Sequence, residues 1–142
     1  MRLIIKTILV ALCVAACSHP PDAEAIRATI AAIGAAAENH RSTDVMAHVS
    51  GDFTGNDGEV DHAQLGQLLR AQLLAARSLD VRFGSISVEI LGDRAVARFD
   101  VAVTDTSGRW FENRETTLKF DTGWRREQGE WRCYNAHWSS NP

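Results

Sequence analysis

The chain's reactive inventory is short. Of three cysteines, Cys13 and Cys17 lie in an uncharged stretch near the N-terminus, and Cys133 lies between Trp131 and Trp138. A reactive thiol needs an electropositive, partly open setting. In an aromatic-rich segment Cys133 reads instead as a small apolar filler. His40, His48, His62 and His137 show no ligand spacing, whereas a zinc site wants a compact set of three or four donors. No metal and no cofactor are therefore expected. CxxC, HExxH and Gly-rich phosphate loops are absent. Strand parity offers one polar constellation. Arg114 shares a face with Thr116, Leu118 and Phe120, and Asn135 and His137 share one with Trp131 and Cys133. If those faces meet, the three groups surround a carboxylate or carbonyl ligand, with Arg114 as the charged clamp. At a rim they would make ordinary surface contacts instead. Tyr134 and Trp138 occupy the opposite face of the last strand, so pattern alone leaves the choice open.

The N-terminal cysteines belong to a different chemistry. Arg2 and Lys6 are followed by ten uncharged residues, 7–16, and then by Cys17-Ser18-His19-Pro20-Pro21. This is the order of a signal peptide: charged start, apolar run, cleavage zone. The apolar run is about half of the roughly 20 residues that a membrane-spanning helix needs. Val14-Ala15-Ala16-Cys17 resembles the bacterial lipobox, in which small residues precede a cysteine that takes a diacylglyceryl group as a thioether. The resemblance implies removal of residues 1–16 and a chain anchored by lipid, palmitate included, on Cys17. Two or more acyl chains hold stably where one does not. The competing reading is an ordinary secretory peptide cut at an Ala-x-Ala site. Residues 17–21 then form a short tether. Ser18 after the cysteine resembles the pattern for outer-membrane sorting, so the expected location is the cell envelope, on the outer membrane facing the periplasm.

Composition bounds the rest. The formal net charge is −3, with 15 basic and 18 acidic residues, and loss of Arg2 and Lys6 makes it more negative. Nucleic acid is excluded as a partner by charge. Hydrophobic content of 45% with four tryptophans suits one compact core in residues 22–142. With Cys13 removed and Cys17 alkylated, Cys133 has no disulfide partner.

The elements follow from periodicity. Asp22 is placed to cap a helix whose Ile26, Ile30, Ile33 and Ala37 make one apolar stripe ending near Asn39-His40. Thr43 could cap a second, shorter helix carrying Val45, Met46 and Val49. Residues 50–60 are rich in Gly, Asp and Asn and predict turns with at most a short hairpin. Phe53, the one large apolar residue there, is a candidate to line a ligand site. Asp61 and Gln64 form a capping box for a third helix, with Leu65, Leu68, Leu69, Leu73 and Ala76 on its buried face and an end near Arg77. Four antiparallel strands follow: 81–91, 95–104, 112–124 and 131–139, separated by Gly92-Asp93, Ser107-Gly108 and Gln128-Gly129-Glu130. Trp110-Phe111 is an apolar pair in a loop, suited to core, dimer contact or a ligand lid.

Helices followed by a meander whose last strand reads Gly129-Glu130-Trp131-Arg132-Cys133-Tyr134-Asn135-Ala136-His137-Trp138 resemble the nuclear transport factor two-like superfamily, which includes ketosteroid isomerases and SnoaL-like cyclases. Ser50-Gly51-Asp52-Phe53-Thr54-Gly55 and Gly123-Trp124-Arg125-Arg126 carry the detail. The resemblance implies an α+β fold in which a strongly curved antiparallel sheet, shaped as a cone, wraps around the N-terminal helices. It also implies an apolar pocket and a sheet that often forms homodimers.

In the isomerase branch a general base lies shortly after the second helix, and Asp57 occupies the matching place; Asn56-Asp57-Gly58 is also an ordinary turn. The only tyrosine is Tyr134, and none lies in the first helix to donate to an oxyanion. Three functions remain in view: capture of a small apolar ligand or a protein partner without catalysis, an isomerase or cyclase using Asp57 with His137 or Arg114, and a structural envelope subunit with a filled cone. Fold analogy alone licenses no reaction.

Overall fold

The computed structural model describes residues 21–105 and 115–140. The expected signal peptide, residues 1–16, and Cys17, Trp110-Phe111 and Arg114 lie outside them. The elements run α1 (Asp22–Glu38), α2 (Ser42–Met46), β1 (Val49–Gly55), a 3-10 turn (Asn56–Gly58), β2 (Val60–Asp61), α3 (His62–Ala75), β3 (Leu79–Phe83), β4 (Ser87–Leu91), β5 (Arg94–Asp105), β6 (Glu115–Glu127) and β7 (Glu130–Ser140). Three helices pack against one curled, unclosed sheet in the order β2-β1-β7-β6-β5-β3, with β4 also on β5. Among the described residues no helix is long and apolar enough to cross a membrane.

The stripe on α1 buries Ile26 and Ile30, with Ile33 and Ala37 half-buried. Asp22 does not cap α1 as expected. Pro21 takes that place, and Asp22 opens the first turn. Its carboxylate instead accepts from Arg126 and from Trp131 Nε1, tying the helix start to the β6–β7 hairpin. The capping box at α3 forms as expected, with Gln64 N donating to Asp61 Oδ1 at 2.8 Å and Asp61 N to Gln64 Oε1 at 2.9 Å. On that helix Leu73 is buried but Leu68 is exposed.

Four expectations change. The helix cap at α2 is Arg41, not Thr43, and Val49 leaves the helix to start β1. Residues 49–55 form a full strand, antiparallel to β2 in the short hairpin allowed for and also parallel to β7, which the turn-rich sequence does not predict. Gly and Asp weaken local strand preference, but a ready-made β7 edge supplies the hydrogen bonds. The single strand expected over 81–91 is two, β3 and β4, which share the outer edge of β5 and break at Gly84, whose N–H donates to Asp100 O at 2.9 Å. The sheet therefore has seven strands rather than four.

The fourth change concerns parity. Along β5 the odd residues Ala95, Ala97, Val101 and Val103 are buried, and across the ladder they meet Trp124, Thr122, Leu118 and Thr116 of β6. These define the inner face. On β7, Cys133 pairs with Trp124, but Asn135 pairs with Gly123, so Tyr134 is an extra residue in the strand. Such a bulge exchanges the two faces beyond it. Trp131 and Cys133 point inward before it, and Ala136 and Trp138 after it.

Candidate functional site

The inner face has two parts. Its narrow end is closed by Ile26, Ile30, Ala95, Ala97, Trp124, Trp131 and Cys133, all buried. The indole of Trp124 is satisfied there, since Nε1 donates to Thr122 Oγ1 at 2.8 Å, and that hydroxyl donates on to Ala97 O at 2.7 Å. Further along the same face run Phe83, Phe99, Phe120 and Trp138, each only half-buried. Phe83 meets Phe99 edge-on at 5.7 Å between ring centroids, Phe99 stacks on Phe120 at 5.3 Å, and Phe120 leans on Trp138 at 6.2 Å. Such pairings suit the quadrupole of aromatic rings. Their incomplete burial leaves an apolar shelf toward the wide end.

Two glycines let this shelf form. A Cβ at Gly34 on α1 would lie 2.5 Å from the Phe83 ring, and one at Gly55 would lie 2.8 Å from Trp138. Trp138 is fixed further by its backbone N–H, which donates to Asn56 Oδ1 at 3.0 Å. Asn56 and Asp57 both adopt positive φ, 47° and 61°, as the chain turns out of β1. Asn and Asp bear that conformation better than other side chains.

Titratable groups are sparse on the inner face. Among its described strand residues they are Asp105 and Cys133, both buried. Burial pushes the Cys133 thiol up to about 12, so it stays protonated and inert. Asp105 pairs across the ladder with Leu79 and shares the inward face with Val103.

The residues singled out from the sequence are dispersed. Phe53 is in the closed core rather than on an accessible wall. Asp57 is exposed in its turn. Asn135 and His137 do not share a face with Trp131 and Cys133, because the Tyr134 bulge turns both outward, where they are exposed. Arg114 lies outside the described residues, so the structure does not bring the three together. What sequence reading missed was the shelf. Phe99 and Asp105 follow the odd-residue alternation of β5, which was the signal available, while Phe83 and Trp138 were hidden by a strand break and a bulge.

On the outer face Tyr134 lies between two guanidinium groups, 4.9 Å from Arg94 and 5.3 Å from Arg125. Arg125 also pairs with Asp52 and, at 3.3 Å, with Glu127, which accepts from Ser50. The Arg125 hydrogen bond holds the Asp52 carboxyl below its ordinary range. Two shallow clefts lie on the helical side. One, about 390 Å³, lies between α2 and α3 beside Met46, Gly66 and Arg70; the other, about 430 Å³, runs along α1 and α2. Among the described residues no three His, Cys, Asp or Glu side chains gather as a metal site would require.

No protein-family model and no curated protein matches the chain by sequence. Solved structures do. A nuclear transport factor two-like protein of unknown function from Pseudomonas putida superposes with a TM-score of 0.73 at 16% identity, covering 84% of this chain and 86% of that one. A protein provisionally named a dehydratase of the same family, from Streptomyces avermitilis, gives 0.73 at 12% identity over 85% and 96%. One provisionally named a scytalone dehydratase, from Novosphingobium aromaticivorans, gives 0.71 at 13% over 84% and 83%. With the α-helices, the curled sheet and its register, these likenesses establish that the chain has the nuclear transport factor two-like fold.

Proposed function

We propose that the protein is an envelope lipoprotein, held by acyl chains on Cys17 to the outer membrane facing the periplasm, whose cone captures a small apolar ligand without transforming it. The row of half-buried rings from Phe83 to Trp138 carries this reading. Aromatic walls with few polar groups are the usual lining of small-molecule sites. The remaining candidates for chemistry are poorly equipped: Cys133 is protonated, and Asp57 and His137 are exposed. A protein partner or a second copy of the chain would use the sheet's outer face.

One observation favours a second reading, an enzyme of the dehydratase or isomerase kind. Two of the similar structures bear provisional dehydratase names, and such an enzyme would draw on Asp57 with His137. Native mass spectrometry of the protein extracted from an envelope preparation, as wild type, Phe120→Ala and the Asp57→Ala/His137→Ala double variant, separates the two. The binding reading expects a co-purifying apolar mass that Phe120→Ala loses and the double variant keeps unchanged. A ligand mass that differs between wild type and the double variant, as substrate differs from product, would overturn it in favour of catalysis. A protein that carries no ligand in any form would remove both.

A further inference from the structure

We infer that the β4–β5 hairpin tip, Ile90 and Leu91, rests against the bilayer that holds the anchor, so that the wide end of the cone faces away from the membrane. This orientation rests on the proposed lipid at Cys17. The argument begins with reach. Five residue steps separate Cys17 from Asp22, the first residue of α1, and a chain spans at most about 3.6 Å per residue. The start of α1 therefore lies within roughly 18 Å of the lipidated sulfur.

Three contacts identify which surface shares that end. Asp22 pairs with Arg126 and accepts from Trp131 Nε1 at 3.3 Å, which brings the β6–β7 hairpin beside it. Arg126 N in turn donates to Asp93 O at 3.1 Å, which brings the β4–β5 turn alongside. At the end of β4, just before the Gly92-Asp93 turn, stand Ile90, 37% exposed, and Leu91, 54% exposed. These are two of the four large hydrophobic residues exposed among the described residues; another, Leu74 at 80%, lies near the end of α3, beside the Leu73, Ala76, Leu79 cluster of the wide end.

Charge chooses the kind of contact. Three of the four arginines at the near end are paired with carboxylates, Arg126 with Asp22, Arg125 with Asp52 and Glu127, and Arg132 with Glu130, while Arg94 lies over the Tyr134 ring. The surface is therefore not a cationic patch that selects anionic lipid. The apolar tip instead enters the headgroup boundary, held there by the anchor's proximity. A helix rises 1.5 Å per residue, so the 17 residues of α1 set the wide end roughly 25 Å beyond its start. Ligand would then exchange with the aqueous compartment, not with the bilayer.

The test uses the full-length lipidated protein in phosphatidylcholine vesicles doped with nitroxide lipid, with and without phosphatidylglycerol. An environment-sensitive fluorophore is placed at Leu91→Cys, at Ile90→Cys or, as the far-end control, at Leu74→Cys; Cys133 is buried and does not compete. Labels at 90 and 91 should be quenched about two-fold by nitroxides placed within the first 5–10 Å of the boundary, with no dependence on phosphatidylglycerol, and the label at 74 should not. Intact mass on the same samples separates the two ideas. Acylated protein with equal quenching at all three sites, or stronger quenching at 74, overturns the orientation alone. Protein without acyl chains overturns the anchor, and the orientation with it.

Discussion

The two ends of the inner face are built from similar residues yet are packed to different degrees. At the narrow end Trp124 is 1% exposed, its indole nitrogen satisfied by Thr122 and its ring enclosed by Ile26, Ala95 and Ala97. Further along, Phe99, Phe120 and Trp138 touch one another but stay half-open. A second buried cluster, Leu73, Ala76, Leu79, Val101 and Val103, lies beyond them, so these half-open rings sit between two packed regions. An apolar surface left partly open in this way contributes less to stability than a sealed core does, and it is the surface on which the proposed ligand site rests.

The largest expected effect comes from attacking the closed end. Trp124→Ala removes a fully buried ring and the donor to the Thr122 hydroxyl, and large-to-small changes of this kind cost about 3–5 kcal/mol. Phe120→Ala removes a ring that is already partly solvated, so about 1–2 kcal/mol is expected. Urea midpoints of the two variants measure the contrast. Equal losses would mean that the wide end is as much core as the narrow one and would weaken the case for a site there.

How much of this contrast could be read from residues alone depends on whether the determinants were local. The α1 stripe, the Asp61–Gln64 box and the Gly92 and Gln128-Gly129 turns are written in neighbouring residues, and all are found. The odd-residue face of β5 was equally legible, because it runs twelve residues without interruption. β1 was not, since Ser50-Gly51-Asp52 carries no strand signal and becomes a strand by pairing with β7, some eighty positions away. The polar constellation failed for a related reason. Parity was carried through Tyr134 as if the strand were regular, and one unpaired residue sent Asn135 and His137 to the opposite side. A bulge depends on the partner strand, so no spacing within β7 announces it. Phe83 and Trp138 reached the shelf through that same kind of non-local geometry.

The closed end can be tested next through its thiol. Cys133 has its pKa raised from 9.0 to about 12 by burial, so between those values the folded protein holds a proton that the unfolded chain releases. Its contribution is complete below pH 9.0 and is lost as pH rises toward 12, at about 1.4 kcal/mol per pH unit within that window. Denaturation followed from pH 8 to 11 should therefore show an alkaline decline that Cys133→Ala lacks. A decline of the same slope in both proteins would place the thiol in contact with solvent and the narrow end would not be sealed.

The smallest effect tests the boundary between the two ends, at Gly34. Replacing a helix-interior glycine with alanine ordinarily gains about 0.8–1 kcal/mol from backbone preference. Here the new methyl would stand 2.5 Å from Phe83 Cε2 and 2.8 Å from Cζ, and overpacking of this kind costs about 1–3 kcal/mol. The ring must move, and its edge-on contact with Phe99 at 5.7 Å moves with it. A net loss of roughly 1 kcal/mol is expected, together with weaker capture of the co-purifying ligand, while Gly66→Ala, whose added methyl would be 3.8 Å from its nearest neighbour, should be neutral or stabilising. Because the Gly34 change acts through Phe83 and leaves Trp124 untouched, a loss of ligand larger than the loss of stability would assign the shelf to binding. Stabilisation of Gly34→Ala with ligand capture intact would mean that Phe83 yields freely and is no fixed wall of the site.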